Sequence, residues 1–252
     1  MEKSLQGQVA IVTGVSRSQG IGASISRKLA LLGSHLFLTG WPEYDWPSDS
    51  EPERLLRDLR DAGSEVEWMP LDLSLPGSPI TLLEAVSNRF GRGHIVINNA
   101  CFWRTDSIAT LDAALLDRHY AVNARAPILL SVEFVRRFAE KGARRIISMT
   151  SGQMLGPMPG SIAYAASKAA LDAFTITFAD EAGRYGVTVN AVDPGPTDTG
   201  WMTEEKQPEL LPRYSLGRLG KPEDAARLVA FLASSEADWI TGQTIRSRGG
   251  FY

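Results

Sequence analysis

Thr13-Gly14-Val15-Ser16-Arg17-Ser18-Gln19-Gly20-Ile21-Gly22 lies between an apolar run at 8–13 and a stretch of helical periodicity at 20–32. Strand, glycine-rich turn and helix in that order form the entrance to a dinucleotide site. The glycines let the backbone bend sharply and approach a diphosphate, and the free N–H groups at the helix N-terminus stabilise its charge. A glycine pattern alone is a weak signal; the strand before it and the helix after it make this one specific. The turn therefore predicts that Gly14, Ser16, Arg17, Gly20, Ile21 and Gly22 contact a dinucleotide.

The same alternation continues outward from this unit. Short apolar or β-branched runs recur at 8–13, 35–39, 66–71, 95–98, 145–149, 187–192 and 243–245. Helical patterns separate them at 20–32, 52–62, 79–90, 112–140, 163–185 and 222–234. Most of the runs are apolar without strict alternation, as expected of strands covered by helices on both faces. The fold class is α/β, a doubly wound parallel sheet. Helix 112–140 is longer than usual and contains Pro127, so a break is expected near that residue. The segments 40–50 and 194–214 are rich in Pro, Trp, Thr and Gly and read as loops, the second as a substrate lid at about 196–214.

A chain of 252 residues with 44% hydrophobic side chains can bury one sizeable core, so residues 1–252 are expected to form one domain. A net charge of -3 supplies no basic excess for nucleic acid. Cys101 is the lone cysteine and can form no internal disulfide, and the opening residues lack the order of a secretory signal. A cytoplasmic location is expected. No apolar run approaches the roughly 20 residues that span a bilayer, so no membrane association is expected. His35, His94 and His119 are scattered without metal-ligand spacing, so no metal is expected. Cys101 reads as a small buried hydrophobe.

The end of the second strand decides which dinucleotide fits, because an acid there would hold the adenosine ribose of NAD and repel a 2′-phosphate. Leu36-Phe37-Leu38-Thr39-Gly40-Trp41 carries no acid, and Arg17 is positioned to pair with a phosphate. NADP(H) is favoured, with Trp41 beside the ribose. NAD(H) is the alternative, in which Glu43 or Asp45 reaches back to the ribose hydroxyls.

Tyr164 and Lys168 are four residues apart near the start of a helix and so share a face. An unperturbed tyrosine has a pKa of about 10, and bringing it to about 7 takes roughly 4 kcal/mol of preferential phenolate stabilisation. A neighbouring ammonium and a positively charged nicotinamide ring have the right sign. Ser151 ends the fifth strand run, where a doubly wound sheet presents functional residues, and its hydroxyl can hold a substrate oxygen. Each of these matches occurs by chance in many proteins. Together, behind a glycine loop, they point to carbonyl–alcohol chemistry.

With Asp72, Asn98-Asn99-Ala100, Asn123, and Pro194-Gly195 with Thr199, these residues resemble the short-chain dehydrogenase/reductase family over nearly the whole chain. Within it, the chain resembles 3-oxoacyl-[acyl-carrier-protein] reductase-like members. The resemblance implies a single-domain Rossmann-type fold with a seven-stranded parallel sheet and a nicotinamide cofactor. It implies that Tyr164 is the general acid/base, that Ser151 orients the substrate oxygen, and that Lys168 contacts the nicotinamide ribose and lowers the tyrosine pKa. Asn123 would hold a water in a proton relay. Asp72 and Leu73 would lie by the adenine, Asn99 and Ala100 along the adenosine ribose side with the Cys101 side chain near the cofactor, and Pro194, Gly195, Thr197 and Thr199 at the nicotinamide end. A homotetramer is also implied.

The chain departs from the family pattern in three places. Five residues separate Gly14 from Gly20 where the family usually has three, so Arg17 need not superpose on the family's phosphate-binding arginine. Cys101 stands where a glycine is usual. Arg246-Ser247-Arg248-Gly249-Gly250 replaces a common Val-Asp-Gly-Gly ending, which points to an altered subunit contact. Trp103, Gln153, Met154, Trp201 and Met202 are expected to line a small-molecule pocket suited to an apolar or acyl-chain carbonyl, with 3-oxoacyl thioesters the leading class. An enoyl reductase of a related branch and a non-catalytic NADP(H)-sensing protein are the rival readings. The close Tyr164–Lys168 spacing disfavours the first, and the intact catalytic set disfavours the second.

Overall fold

A computed structural model describes residues 3–44, 52–139, 144–202 and 207–251. Seven strands form one parallel sheet: β1 (Val9–Thr13), β2 (His35–Gly40), β3 (Val66–Pro70), β4 (Ile95–Asn98), β5 (Arg144–Met149), β6 (Val187–Asp193) and β7 (Thr244–Arg246). Their order is β3-β2-β1-β4-β5-β6-β7. The order reverses beside β1, and the crevice at that switch point lies between the β1 and β4 C-termini.

Burial explains why these strands show no polar–apolar alternation. Ala10 and Val12 of β1 join a core with Ile25 and Leu29 of α1 (Ile21–Leu31), Leu55 of α2 (Pro52–Asp61) and Val229 of α8 (Pro222–Ala233). Val9 and Ile11 face the opposite core, with Leu82 of α3 (Ser78–Phe90) and Phe134 of α5 (Ala126–Phe138). Successive side chains enter different cores, so both faces of the sheet must be apolar. Each fully buried aliphatic side chain contributes about 1.5–3 kcal/mol.

The expected long helix at 112–140 is divided. It begins as α4 (Ala113–Tyr120), widens into a π-turn (Ala121–Arg125), and continues as α5 with Pro127 in its first turn. Proline has no N–H to give to the preceding turn, so the break falls where the widened turn absorbs that loss. Glu140 lies outside the described residues. The second long helix is α6 (Ile162–Gly183), and the lid carries a short helix, α7 (Gln207–Leu210). Residues 203–206 of the lid lie outside the described residues.

At the start of α8, Asp224 accepts the Lys221 N–H at 3.0 Å and a forked pair from Arg218 at 2.6 and 2.8 Å. The Arg218 hydrogen bonds hold its carboxyl at about 2, against partial burial. A depressed carboxylate stabilises the fold above its ordinary value and loses that contribution as pH falls towards about 2. Asp224→Asn should lower stability by about 1 kcal/mol at neutral pH through the cap, since the exposed ion pair is screened. Thermal melts of wild type and variant should converge at acid pH.

Candidate active site

The glycine turn is fastened to β4 by side chains from both. Asn99 Nδ2 donates to the carbonyls of Thr13 at 2.9 Å and Gly14 at 3.0 Å, while Thr13 Oγ1 accepts the N–H groups of Asn99 and Ala100 at 3.0 Å each. Gly14 has φ +73°, and a Cβ there would lie 2.6 Å from the Ala100 Cα. A Cβ on Gly22 would meet Asn99 Nδ2 at the same distance and Gly14 O at 2.8 Å. The N-cap of α1 is Gly20, which has no side chain to cap the first N–H groups of the helix, an arrangement that fits a diphosphate.

Ser16 is buried against the end of β2. Its Oγ accepts the Trp41 N–H at 3.0 Å, and only a glycine at position 40 leaves it room. Arg17 takes another direction: its Nη2 donates to Thr199 O at 2.8 Å, bridging the glycine turn to the start of the lid. The two extra residues in the turn thus accompany an arginine directed at the lid rather than at Trp41. Asp72 Oδ1 accepts the Ser74 N–H at 2.8 Å, and Leu73 lines a small cavity with Thr13, Asn98, Ala100 and Val122. Thr197 is buried in the loop after β6, its Oγ1 donating to Gly195 O at 3.1 Å.

Asn123, Ser151, Tyr164 and Lys168 come together at the C-terminal ends of β4 and β5. The π-turn places Asn123 so that its Oδ1 accepts the Phe102 N–H at 2.7 Å, while its Nδ2 donates to Phe102 O at 2.8 Å and Ser167 Oγ at 3.0 Å. Lys168 is buried and donates from Nζ to Met149 O at 2.7 Å, with Nζ 6.0 Å from the centre of the Tyr164 ring. Burial pushes the Tyr164 phenol well up; the Cys101 thiol and the Asp193 charge add to this, and a hydrogen bond with Ser151 opposes it. The free site therefore keeps the phenol protonated.

One residue at the head of this helix had no signal in the sequence. Asp106, buried, accepts the N–H groups of Ile162 at 2.6 Å and Ala163 at 2.8 Å, capping α6 immediately before Tyr164. It belongs to the loop after β4, far from the helix it caps, so local capping rules could not find it.

Cys101 corrects the expectation of a buried hydrophobe. Its thiol is exposed and donates to Phe102 O at 3.6 Å, because it follows the strand end at the mouth of the crevice rather than lying within either core. Of the expected substrate-lining residues, Trp103, Met154 and Trp201 are exposed and Met202 is buried. Trp201 is held by its Nε1, which donates to Thr197 O at 2.8 Å. Gln153 bonds to Thr150 and Asp172, which makes it part of the wall behind Ser151. Asp45 lies outside the described residues.

The family described as Enoyl-(Acyl carrier protein) reductase matches residues 14–252. The uncharacterized oxidoreductase YjdA of Bacillus subtilis is 48% identical over 98% of this chain and 97% of its own length. The chain belongs to the short-chain dehydrogenase/reductase family. Another member, the 3-oxoacyl-[acyl-carrier-protein] reductase FabG of Pseudomonas aeruginosa, is 36% identical over 99% of both chains. The solved short-chain dehydrogenase/reductase of Serratia marcescens superposes with a TM-score of 0.88 at 33% identity, covering 98% of this chain and 99% of that one. As a short-chain dehydrogenase/reductase, the chain is an oxidoreductase with a Rossmann-type sheet. No helix among the described residues is long and apolar enough to cross a membrane. Among the same residues, no group of three or more His, Cys, Asp or Glu could hold a metal ion.

Proposed function

We propose that the chain is an NADP(H)-dependent reductase that interconverts a carbonyl and a secondary alcohol, with Tyr164 as the general acid/base. The observation that carries this reading is the assembly of half-buried Tyr164 and Ser151 with buried Lys168 beside a glycine turn. A bound nicotinamide cofactor supplies or accepts the hydride. Ser151 holds the substrate oxygen, and Tyr164 Oη gives that oxygen a proton in reduction and takes it back in oxidation. Lys168 places positive charge near the ring and favours the phenolate, offsetting the cost of burial. Asn123 holds the loop after β4 against α6 and so fixes the groups around the phenol. Trp201 and Met202 on the lid keep water from the reacting carbon.

The cofactor preference rests on the end of β2. Thr39, Gly40 and Trp41 offer no carboxylate to the ribose, while Glu43 lines a separate groove with Tyr44, Arg104 and Arg118. Arg17 reaches the lid, so it supports this reading only through its positive charge near the diphosphate. Trp41→Asp tests the point, because an acid there would repel a 2′-phosphate and accept ribose hydroxyls. Wild type should bind NADPH more tightly than NADH, and the variant should shift the ratio of affinities about tenfold or more towards NADH. A wild type that prefers NADH overturns the cofactor assignment.

The leading substrates are 3-oxoacyl thioesters, supported by the likeness to FabG and by the apolar side chains of Trp201 and Met202 at the start of the lid. The assembly belonging to this reading is a homotetramer in the cytoplasm. Ile176 on α6 is 65% exposed in a single protomer, an apolar side chain that a second copy would cover.

A further inference from the structure

Arg248, near the end of the chain, turns inward. Its Nη1 lies 2.7 Å from the Asp193 carboxylate at the end of β6, and the two side chains are only 12% and 2% exposed. Two glycines make room for it. A Cβ on Gly152, the residue after Ser151, would lie 2.2 Å from Arg248 Nη1, and one on Gly195 would lie 3.0 Å from its Cγ. The guanidinium thus rests against the Ser151 loop, and the stem of the same side chain rests against the loop after β6.

The same tail holds the lid. Phe251 packs on Tyr214 with ring centres 4.8 Å apart, and the Arg213 guanidinium lies 4.1 Å above it. Leu216 N–H donates to Gly249 O at 3.2 Å, and Ser215 Oγ donates to Gly250 O at 3.1 Å. Tyr214 in turn donates its hydroxyl proton to Pro196 O. Within the tail, Phe251 N–H returns to Arg248 O at 3.0 Å, and Arg248 Nε donates to Phe251 O at 3.3 Å. Lid, tail, Arg248 and catalytic loop form one continuous run of contacts.

We propose that Arg248 is a positioning residue: pinned on Asp193, it fastens the C-terminal tail and the lid to the loop carrying Ser151, so that closure over the substrate and placement of Ser151 are coupled. The functional consequence rests on the carbonyl-reductase reading; the mechanical coupling can be tested without it. Ser151 holds the substrate oxygen only if its loop is fixed, and small misplacements at a reacting centre carry large rate penalties. The pair also bears on Tyr164. The groups facing that phenol are Cys101 after β4, Ser151 after β5, Lys168 on α6 and Asp193 on β6, and Arg248 neutralises the last of these.

Removing Arg248 alone leaves Asp193 buried without its counter-charge, which destabilises any fold. The test therefore compares Arg248→Gln with the paired Asp193→Asn/Arg248→Gln, from which both charges are gone. Hydrogen exchange is followed on the full chain without cofactor. Both variants should exchange about tenfold or more faster at 152–155 and at 207–216 together, with β1 and β4 unchanged. In NADPH-dependent carbonyl reduction, kcat should fall about tenfold or more while NADPH affinity stays within about twofold. Restored protection in the paired variant, faster exchange at only one of the two segments, or an equal loss across β1 and β4 overturns the proposal. A wild type that turns over no carbonyl would count against the functional reading, and the exchange pattern would still decide the coupling.

Discussion

Replacing Tyr164 by phenylalanine should lower carbonyl reduction by about 100-fold to 10,000-fold while leaving NADPH binding and the melting temperature nearly unchanged. Phenylalanine keeps the ring that packs beside Lys168 and loses only the oxygen that moves the proton. The groups beside the phenol, Ser151 and Cys101, are half-buried and exposed, so its loss leaves no deeply buried donor without a partner. Steady-state rates and cofactor titrations on the two proteins separate this outcome from general damage, which would move binding and stability as well. The direction of the pH profile follows from the same group. Burial, the neighbouring thiol and Asp193 push the phenol up, so it is protonated and holds the proton that reduction consumes. Oxidation requires the phenolate, so the alcohol-oxidising rate should climb with pH, and that climb should vanish in the variant.

Gly22→Ala should act on the other half of the site. Its Cβ would lie 2.6 Å from Asn99 Nδ2, the atom that ties both Thr13 and Gly14 to β4. Either the asparagine withdraws and two carbonyls lose their donor, or the helix start shifts away from the crevice. The overlap should cost roughly 1–3 kcal/mol of stability and cofactor affinity tenfold or more. Gly14→Ala combines a similar overlap, against the Ala100 backbone, with a positive φ that costs a further 1–2 kcal/mol, roughly. Its effect should be larger. Melting curves and NADPH titrations check both, and an alanine at position 22 that leaves affinity intact would show that the cofactor does not use this turn.

Much of this architecture was legible in the sequence because it depends on local rules. The seven apolar runs needed only cover on both faces to read as a parallel sheet, and the turn at 13–22 needed only its flanking strand and helix. Tyr164 and Lys168 were legible as a pair because helical geometry alone fixes their shared face. Features that depend on distant partners were less legible. Asp106 caps a helix more than fifty residues away in the chain, and the widened turn around Asn123 answers a proline together with the loop it must hold. Cys101 was misjudged because burial follows from where a strand ends, not from residue type. Arg17 has the charge expected for a phosphate partner, but the two additional residues send it to Thr199. The ending around Arg248 suggested a contact between subunits, whereas within the chain it meets Asp193, whose own departure from an apolar strand end is the matching signal.

The central claim is that this site moves a hydride between a nicotinamide and a carbonyl carbon while Tyr164 moves the proton. Its most direct test is to incubate the protein with NADPH deuterated at the transferable nicotinamide position and an acyl or simple ketone, then analyse the alcohol by mass spectrometry. Deuterium on the carbinol carbon, in amounts matching the cofactor oxidised and absent with Tyr164→Phe, is the predicted result. Tight NADPH binding with no labelled alcohol from any ketone of the panel would contradict it and leave a protein that senses the cofactor without using it.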